Sequence, residues 1–181
     1  MKLLIASDIH GDLESASRII SAFEKEKCER ILLLGDLLYF GPRNNLTDSY
    51  NPQGVIKLLN EHRDIILAVR GNCDAEVDQM VLDFPIMADY CYLHLDGLSV
   101  FATHGHHHNT DTPPPLRKGE ILLHGHTHVL KCEEFGNENW YINPGSPTYP
   151  KENNPKTYMV YEKRCFTVKD LEGNVILTKQ F

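Results

Sequence analysis

The chain of 181 residues carries 18 basic and 25 acidic residues, for a net charge of −7 at neutral pH, and its length corresponds to about one domain. This acidic balance argues against a protein that binds a nucleic-acid polymer through its phosphates, which needs a basic excess. The longest apolar run, Ile65–Val69, is far shorter than the roughly 18 residues of a membrane span, and no secretory leader follows Lys2, so we expect a cytoplasmic protein that does not bind membranes.

The first seventy residues alternate between short apolar runs and helical patterns. The runs are typical of strands that are buried on both faces. They are Lys2–Ala6, Ile31–Leu34 and Ile65–Val69. Between them, the apolar spacing predicts a helix over Leu13–Lys27 capped by Asp12, and a second helix that begins after Asn51 with Pro52 in its first turn. This β-α-β-α-β order predicts a parallel sheet.

The second half of the chain predicts β-structure joined by tight turns. Tyr90–Leu95 and Leu98–Thr103 flank Asp96-Gly97, which is a strong hairpin signal. Further strands are predicted at Glu120–His124, Val129–Phe135, Asn139–Asn143, Tyr158–Tyr161, Cys165–Lys169 and Val175–Lys179. We expect mostly antiparallel pairing in this half. Because no linker separates the halves, residues 1–181 are predicted to form a single domain built on two sheets.

Polar residues stand directly after each predicted strand of the parallel sheet, and two histidine-rich sets follow later strands. Open α/β sheets hold ligands at the carboxyl ends of parallel strands, so we expect these residues to converge. The candidate metal ligands are Asp8, His10, Asp36, Asn72, His104, His126 and His128. One tetrahedral zinc takes about four protein ligands, whereas two cations that share a carboxylate would use the whole set. Imidazole and carboxylate donors without thiolate favour manganese, iron, zinc, nickel or cobalt.

The order of these residues resembles the signature of the calcineurin-like metallophosphoesterases. Its parts are D-x-H at 8–10, G-D at 35–36, G-N-x-D at 71–74, H at 104 and G-H-x-H at 125–128. Segments 41–44, 70–74 and 143–146 are also similar to the small bacterial YfcE-type phosphodiesterase subfamily, and the resemblance covers essentially the whole chain. It implies a four-layer α/β/β/α sandwich of two mixed sheets, a dinuclear metal site between the sheet edges, and a homodimer or homotetramer.

The resemblance further implies which ligands hold which metal. The first metal would be held by Asp8, His10, Asp36 and His128. The second would be held by Asp36, Asn72, His104 and His126. Asp36 would therefore bridge two divalent cations, for which we expect manganese, with nickel, iron, zinc or cobalt as alternatives.

The reaction that this site implies is hydrolysis of a small phosphodiester. A hydroxide that bridges the two cations would attack phosphorus, because water bound to a metal loses its proton near neutral pH. Asp36, Asn72 and His10 would be catalytic through the positions they give the metals and the hydroxide, with no protein nucleophile. Arg43 and Asn72 are the predicted substrate contacts. For Arg43, which could clamp a phosphate with two hydrogen bonds, a loop-stabilising salt bridge is the alternative.

Several residues beside these motifs are given lesser roles. His106, His107 and His108 are predicted to form a solvated loop near the site, and Asp74 is predicted to orient a ligand or cap the following helix. Cys73 stands where many members of the family carry a histidine that is assigned to protonate the leaving group. A thiol, with an ordinary pKa of about 8.5, matches that role poorly. We therefore expect slow hydrolysis of diesters with poor leaving groups.

Alternative functions of two classes stay open from the sequence. A metal-binding scaffold or interaction protein could use the same fold, and a phosphomonoesterase, a cyclic-nucleotide phosphodiesterase or a dinucleotide-polyphosphate hydrolase could use the same metal site. Scaffold proteins of this fold tend to lose a metal histidine or the D-x-H pair, whereas this sequence retains the whole ligand set. The sequence therefore favours an enzyme, with a phosphodiesterase as the leading hypothesis.

Overall fold

The computed structural model describes residues Met1–Phe181, which form eleven strands and three α-helices. The strands are β1 (Leu3–Ala6), β2 (Arg30–Leu33), β3 (Ile66–Ala68), β4 (Tyr90–Leu95), β5 (Leu98–Thr103), β6 (Ile121–Leu123), β7 (Lys131–Phe135), β8 (Asn139–Asn143), β9 (Thr157–Glu162), β10 (Cys165–Asp170) and β11 (Val175–Gln180). The helices are α1 (Leu13–Glu26), α2 (Pro52–Glu61) and α3 (Glu76–Gln79). The strands form one sheet of six and one of five.

Both sheets mix parallel and antiparallel pairs. The first has the order β11-β10-β9-β1-β2-β3, with β1, β2 and β3 parallel as predicted and β9 antiparallel to β1. The second has the order β4-β5-β6-β8-β7, with β5, β6 and β8 parallel. The predicted sandwich of two mixed sheets is confirmed. The expectation of mostly antiparallel pairing in the second half is wrong for the centre of the second sheet. A long crossover leads from β5 to its parallel neighbour β6, and β6 is joined to its parallel neighbour β8 through the edge strand β7.

Both long helices begin at the predicted caps. The Asp12 carboxylate accepts a hydrogen bond from the Ser15 amide (2.7 Å), and the Asn51 side chain accepts one from the Gly54 amide (3.0 Å), just before Pro52 enters α2. Each cap satisfies an amide that has no partner inside the helix. Both helices then bury their apolar faces on the outer side of the first sheet. No helix of the chain is long and apolar enough to cross a membrane.

Apolar side chains pack against both faces of the first sheet. On its outer face, Ile19 of α1 and Val55 of α2 belong to one core cluster with Leu33 of β2. On its inner face, Ile5 of β1 and Val100 of β5 belong to a second cluster, which fills the space between the two sheets. The first two strands are therefore buried on both faces, as predicted. Their carboxyl ends are held rigidly where the polar loops begin.

The edges of the sandwich depart from this pattern. Leu67 in β3 is 38% exposed, so the prediction of a third strand buried on both faces is wrong, because β3 is the edge strand of its sheet. No helix follows Gln79, and the outer face of the second sheet is instead contacted by the loop of residues 104–118. The His108 ring of this loop lies 5.6 Å from the ring of Phe101.

A half-buried ion pair joins the end of α1 to the first sheet, and it predicts a pH-dependent stability. Glu26 lies 2.5 Å from the Lys169 ammonium and 3.5 Å from that of Lys2. Burial alone would raise the pKa of the Glu26 carboxyl. The two lysines lower this pKa by more than burial raises it, so it lies below its ordinary value. A carboxyl whose pKa is depressed by folding stabilises the protein above its unfolded pKa, and this contribution is lost as the pH falls through the folded pKa.

We therefore expect Glu26→Gln to lower the free energy of unfolding by about 1–2 kcal/mol at pH 7. The difference between wild type and variant is expected to shrink as the pH falls below about 4. Urea unfolding of both proteins at pH 7 and pH 3 measures this. An equal difference at the two pH values would show that the charge of Glu26 is not what stabilises this contact.

Candidate metal centre

All seven predicted metal ligands lie at one edge of the sandwich. Asp8 and His10 follow β1, Asp36 follows β2 and Asn72 follows β3, all in the first sheet. The remaining ligands come from the second sheet: His104 after β5, and His126 and His128 after β6. The structure thus brings together residues that are up to 120 positions apart in the chain, because the carboxyl ends of both parallel strand sets meet here.

Three of the ligands form one compact group. The Nε2 atoms of His10 and His128 lie 3.2 Å apart. The Asp8 Oδ1 atom is 3.3 Å from His128 Nε2 and 3.7 Å from His10 Nε2. All three side chains are buried. One cation between these atoms would contact all of them.

A second group surrounds His104. Its Nε2 atom lies 3.0 Å from Asn72 Oδ1 and 3.2 Å from His126 Nδ1. The Asp36 Oδ2 atom is 3.5 Å from His104 Nε2, and the same oxygen is 3.7 Å from His10 Nε2 of the first group. One carboxylate oxygen of Asp36 therefore lies between the two groups, which is the position that a bridging ligand needs.

Three of the four histidines in the two groups are held in a defined tautomer by backbone carbonyls. The Nδ1 atoms of His10, His104 and His128 donate hydrogen bonds to carbonyl oxygens at 2.7, 2.6 and 2.8 Å. A carbonyl oxygen only accepts, so each Nδ1 carries the ring proton and each Nε2 is left with a lone pair. This arrangement is typical of imidazoles that bind metals.

The donor atoms are suited to divalent cations, whereas without a cation several of them face another acceptor atom and have no hydrogen to share. In the neutral rings, His10 Nε2 and His128 Nε2 face each other as two acceptors, and His104 Nε2 faces the Asn72 carbonyl oxygen in the same way. The Asp8 Oδ1 atom is buried and has no hydrogen-bond partner, which is costly for a carboxylate oxygen. Cations coordinated by these atoms would satisfy all of them.

Most of these ligands stand on strained backbone. Five of them have a φ angle between 52° and 65°, in the left-handed region that side chains other than glycine rarely adopt. They are Asp8, His10, Asp36, His126 and His128. Each such residue costs about 1 kcal/mol or more and persists only where its surroundings enforce it. Such strain is common at functional sites, and it turns the side chains towards one point.

Electrostatics at the site favour the binding forms of Asp8 and His126, whereas for His128 burial lowers the pKa but the Asp8 carboxylate raises it above its ordinary value. Burial raises the pKa of the Asp8 carboxyl, but attraction to His128, His104 and His10 lowers it well below its ordinary value. Burial lowers the pKa of His126, so its ring is neutral near pH 7. Each of these protonation states leaves a lone pair free for a metal.

Asp74 holds the loops that carry the candidate ligands, which is consistent with the first of its two predicted roles. Its buried carboxylate accepts hydrogen bonds from the amides of Gly71 (2.7 Å), Asp36 (2.9 Å) and Leu37 (2.9 Å). It therefore ties the loop after β2 to the loop after β3. The alternative role is wrong, because Ala75 rather than Asp74 is the N-cap of the short helix α3.

Two of the lesser predictions need correction or refinement. Of the three histidines in the predicted solvated loop, only His107 is exposed. His106 is half-buried, with its ring 5.3 Å from the His104 ring, and His108 packs on the second sheet.

Burial and the nearby Asp36 carboxylate raise the pKa of the Cys73 thiol. The thiol is therefore neutral at pH 7 and is neither a nucleophile nor a thiolate ligand.

A cleft of about 370 Å³ opens onto the ligands. Arg43 lines it together with Asn72, as expected for substrate contacts, and Lys151 lines it as well. No carboxylate lies within 4 Å of Arg43, so the alternative of a loop-stabilising salt bridge is wrong. Sequence reasoning missed Lys151, because it lies in a loop more than twenty residues beyond the last ligand motif.

Comparison with known proteins decides the family. The sequence pattern of the calcineurin-like phosphoesterase superfamily domain matches residues 1–164. The chain belongs to this superfamily. It is 40% identical over 179 residues to a protein of Escherichia coli named phosphodiesterase YfcE, and this alignment covers 99% of the chain and 97% of the relative. A solved structure of a phosphoesterase from E. coli, also named Yfce, superposes with a TM-score of 0.94 at 39% identity, covering 99% of this chain and 98% of that one.

Two further proteins are similar to this chain at lower identity. A protein of Methanocaldococcus jannaschii named phosphodiesterase MJ0936 is 28% identical over 153 residues, covering 80% of this chain and 83% of the relative. The structure of vacuolar protein sorting 29 from Cryptosporidium parvum superposes with a TM-score of 0.65 at 18% identity, covering 99% of this chain and 97% of that one. The second likeness concerns the fold alone. The predicted family and fold are thus confirmed.

Proposed function

We propose that this protein is a metal-dependent phosphodiesterase that hydrolyses small phosphodiesters. The observation that carries the proposal is the convergence of acceptor atoms, with His10 Nε2 and His128 Nε2 3.2 Å apart beside a buried Asp8 oxygen that has no hydrogen-bond partner. A cation is the group that such an arrangement binds. The 40% identity over the whole chain to a protein named a phosphodiesterase supports the diester as substrate.

In this proposal the seven side chains hold two divalent cations. Asp8, His10 and His128 would hold the first, and Asn72, His104 and His126 would hold the second. Asp36 would contact both, which is supported by its Oδ2 atom at 3.7 Å from His10 Nε2 and 3.5 Å from His104 Nε2. We propose manganese as the metal. Iron, zinc, nickel and cobalt suit the same nitrogen and oxygen donors.

The cations, when bound, supply an activated water and positive charge for the developing phosphoryl oxygens. The chain's own residues provide the remaining functions. Asp36 and His10 would position the cations that bind the phosphate. The His10 ring is itself oriented by its hydrogen bond to the Tyr39 carbonyl (2.7 Å). Asn72 stands at the edge of the cleft, where its amide and the guanidinium of Arg43 can bind the substrate. With a neutral Cys73 thiol beside them, diesters with poor leaving groups are expected to react slowly.

The proposal also covers the domain organisation, location and assembly of the protein. We propose that residues 1–181 form one domain, because β9, from the end of the chain, pairs with β1, from its beginning. We propose further that the protein acts in the cytoplasm as a homodimer or homotetramer. It is not expected to bind membranes or nucleic-acid polymers.

Hydrolysis of bis-p-nitrophenyl phosphate tests the proposed function. The protein is treated with a chelator, dialysed and then assayed with added manganese, nickel, zinc or magnesium, with the monoester p-nitrophenyl phosphate assayed in parallel. We expect activity to vanish with the chelator, to return with metal and to favour the diester. A preference for the monoester would indicate a phosphomonoesterase. Metal binding without hydrolysis of either ester would indicate a scaffold protein.

A further inference from the structure

Two basic side chains at the mouth of the cleft have no acidic partner. Arg43 and Lys151 line the same cleft as the metal ligands, and both are exposed. Neither lies within 4 Å of a carboxylate, in contrast to Lys2 and Lys169, which are paired with Glu26. The backbone amide of Lys151 donates a hydrogen bond to the His128 carbonyl (3.0 Å), so this lysine is tied to the backbone of a metal ligand.

These two positive charges line one cleft of a chain whose net charge is −7. Basic residues that face one cleft and lack partners attract anions into that cleft. The acidic side chains of the cleft do not offset them, because the only carboxylate that lines it is Asp36, which is surrounded by histidines of the metal centre. The mouth of the cleft is therefore positively charged independently of the metal ligands.

A simple phosphodiester does not use all of this charge. It carries one negative charge, on the phosphate that the metal ligands and their cations would hold and that Arg43 can also contact. Lys151 lies outside the ligand set as well, and it has no second anion to bind on such a substrate. A second phosphate on the same molecule would supply one, and guanidinium and ammonium groups are the side chains that bind phosphate most strongly.

We propose that the cleft selects phosphodiesters that carry a second phosphate group, with Lys151 and Arg43 as its binding residues. The proposal rests on the function proposed above, because it takes the diester to be bound at the metal ligands. The volume of about 370 Å³ is at the lower end of the range of about 300–1,000 Å³ for small-molecule sites. The cleft therefore has room for a molecule of nucleotide size.

A matched pair of substrates isolates the effect of the second phosphate. Thymidine 5′-(p-nitrophenyl phosphate) is a diester with one charge, and its 3′-phosphorylated form has the same scissile bond and the same leaving group. With the metal-loaded wild type, we expect kcat/KM to be about tenfold higher for the 3′-phosphorylated ester, which is the effect of one charge-assisted hydrogen bond. In Lys151→Gln and in Arg43→Gln, the ratio of the two kcat/KM values is expected to fall towards one.

Lys163→Gln is the matched control. It removes the same charge from an exposed position in the turn between β9 and β10, away from the cleft. We expect it to leave the ratio of the two kcat/KM values as in wild type. A ratio of one or less in wild type, or an equal ratio in Lys151→Gln and Lys163→Gln, would overturn the proposal.

Binding provides a readout that does not depend on turnover. The Kd of thymidine 3′,5′-bisphosphate and of thymidine 5′-monophosphate is measured by calorimetry for the metal-loaded chain. Lys151→Gln is expected to weaken binding of the bisphosphate about tenfold and Lys163→Gln to leave it unchanged; equal affinities in these two variants would contradict the assignment of Lys151. If neither ester is hydrolysed with any metal, the proposed function fails, whereas calorimetry still decides the role of Lys151.

Discussion

Asp36→Asn is expected to lower metal-dependent hydrolysis of bis-p-nitrophenyl phosphate by about 1,000-fold or more, because a bridging carboxylate contributes to both metals. Asparagine has the same shape, so its Oδ1 atom can keep the hydrogen bond that Asp36 accepts from the Cys73 amide (2.8 Å). The other oxygen, however, becomes an amide nitrogen that points its hydrogens at His10 and His104. We therefore expect the variant to fold and to lose metal.

Metal analysis and circular dichroism, together with the hydrolysis assay, check this prediction. Asp48→Asn is the matched control, because Asp48 is exposed and accepts no hydrogen bond through its side chain.

His126→Ala extends the test, since it removes a candidate ligand from the second group only. We expect it to abolish hydrolysis and to lower the metal content while the fold is kept. Full turnover in either variant would show that the substituted residue is not an essential ligand.

Gly125→Ala is expected to disrupt the metal centre from a position that binds no metal. A Cβ atom at Gly125 would overlap the Ser7 hydroxyl and would lie 2.6 Å from the Asp8 Oδ2 atom. Both neighbours are fully buried and cannot move away without shifting β1. Asp8 Oδ2 also accepts the hydrogen bond of the His126 amide (2.9 Å), so the overlap displaces ligands of both groups.

We expect Gly125→Ala to cost about 2 kcal/mol of unfolding free energy, as overpacking of a buried site does. Urea unfolding measures this cost. We also expect manganese binding to weaken at least tenfold by calorimetry, since Asp8 is displaced from its partners. Gly119→Ala is the control: its Cβ would meet no atom, although its φ of 79° makes alanine cost about 1 kcal/mol there. Equal manganese affinity in the two variants would contradict the packing argument.

The convergence of the seven candidate ligands could be predicted from the sequence, because each candidate follows an apolar strand in a motif of fixed spacing. The same reasoning found the caps at Asp12 and Asn51 and the hairpin at Asp96, all of which depend on neighbours in the chain. It did not find the parallel centre of the second sheet. Strand order there depends on which edges meet in three dimensions, and a local hydrophobic pattern does not encode that.

The features of the site that the sequence did not reveal all arise from distant contacts. The carbonyl that fixes the tautomer of His104 belongs to Leu34, seventy residues earlier. The left-handed backbone at Asp8 is imposed by its surroundings rather than by its own preference. Lys151 carries no motif at all, and only the shape of the cleft shows that it faces the metal ligands.

The central claim is that seven side chains hold two divalent cations at the edge of the two sheets. A crystal structure of the manganese-soaked protein, with anomalous diffraction data, tests it most directly. We expect two anomalous peaks per chain, one in contact with Asp8, His10 and His128, the other in contact with Asn72, His104 and His126, and Asp36 in contact with both. A single peak, or peaks that Asp36 does not contact, would contradict the account.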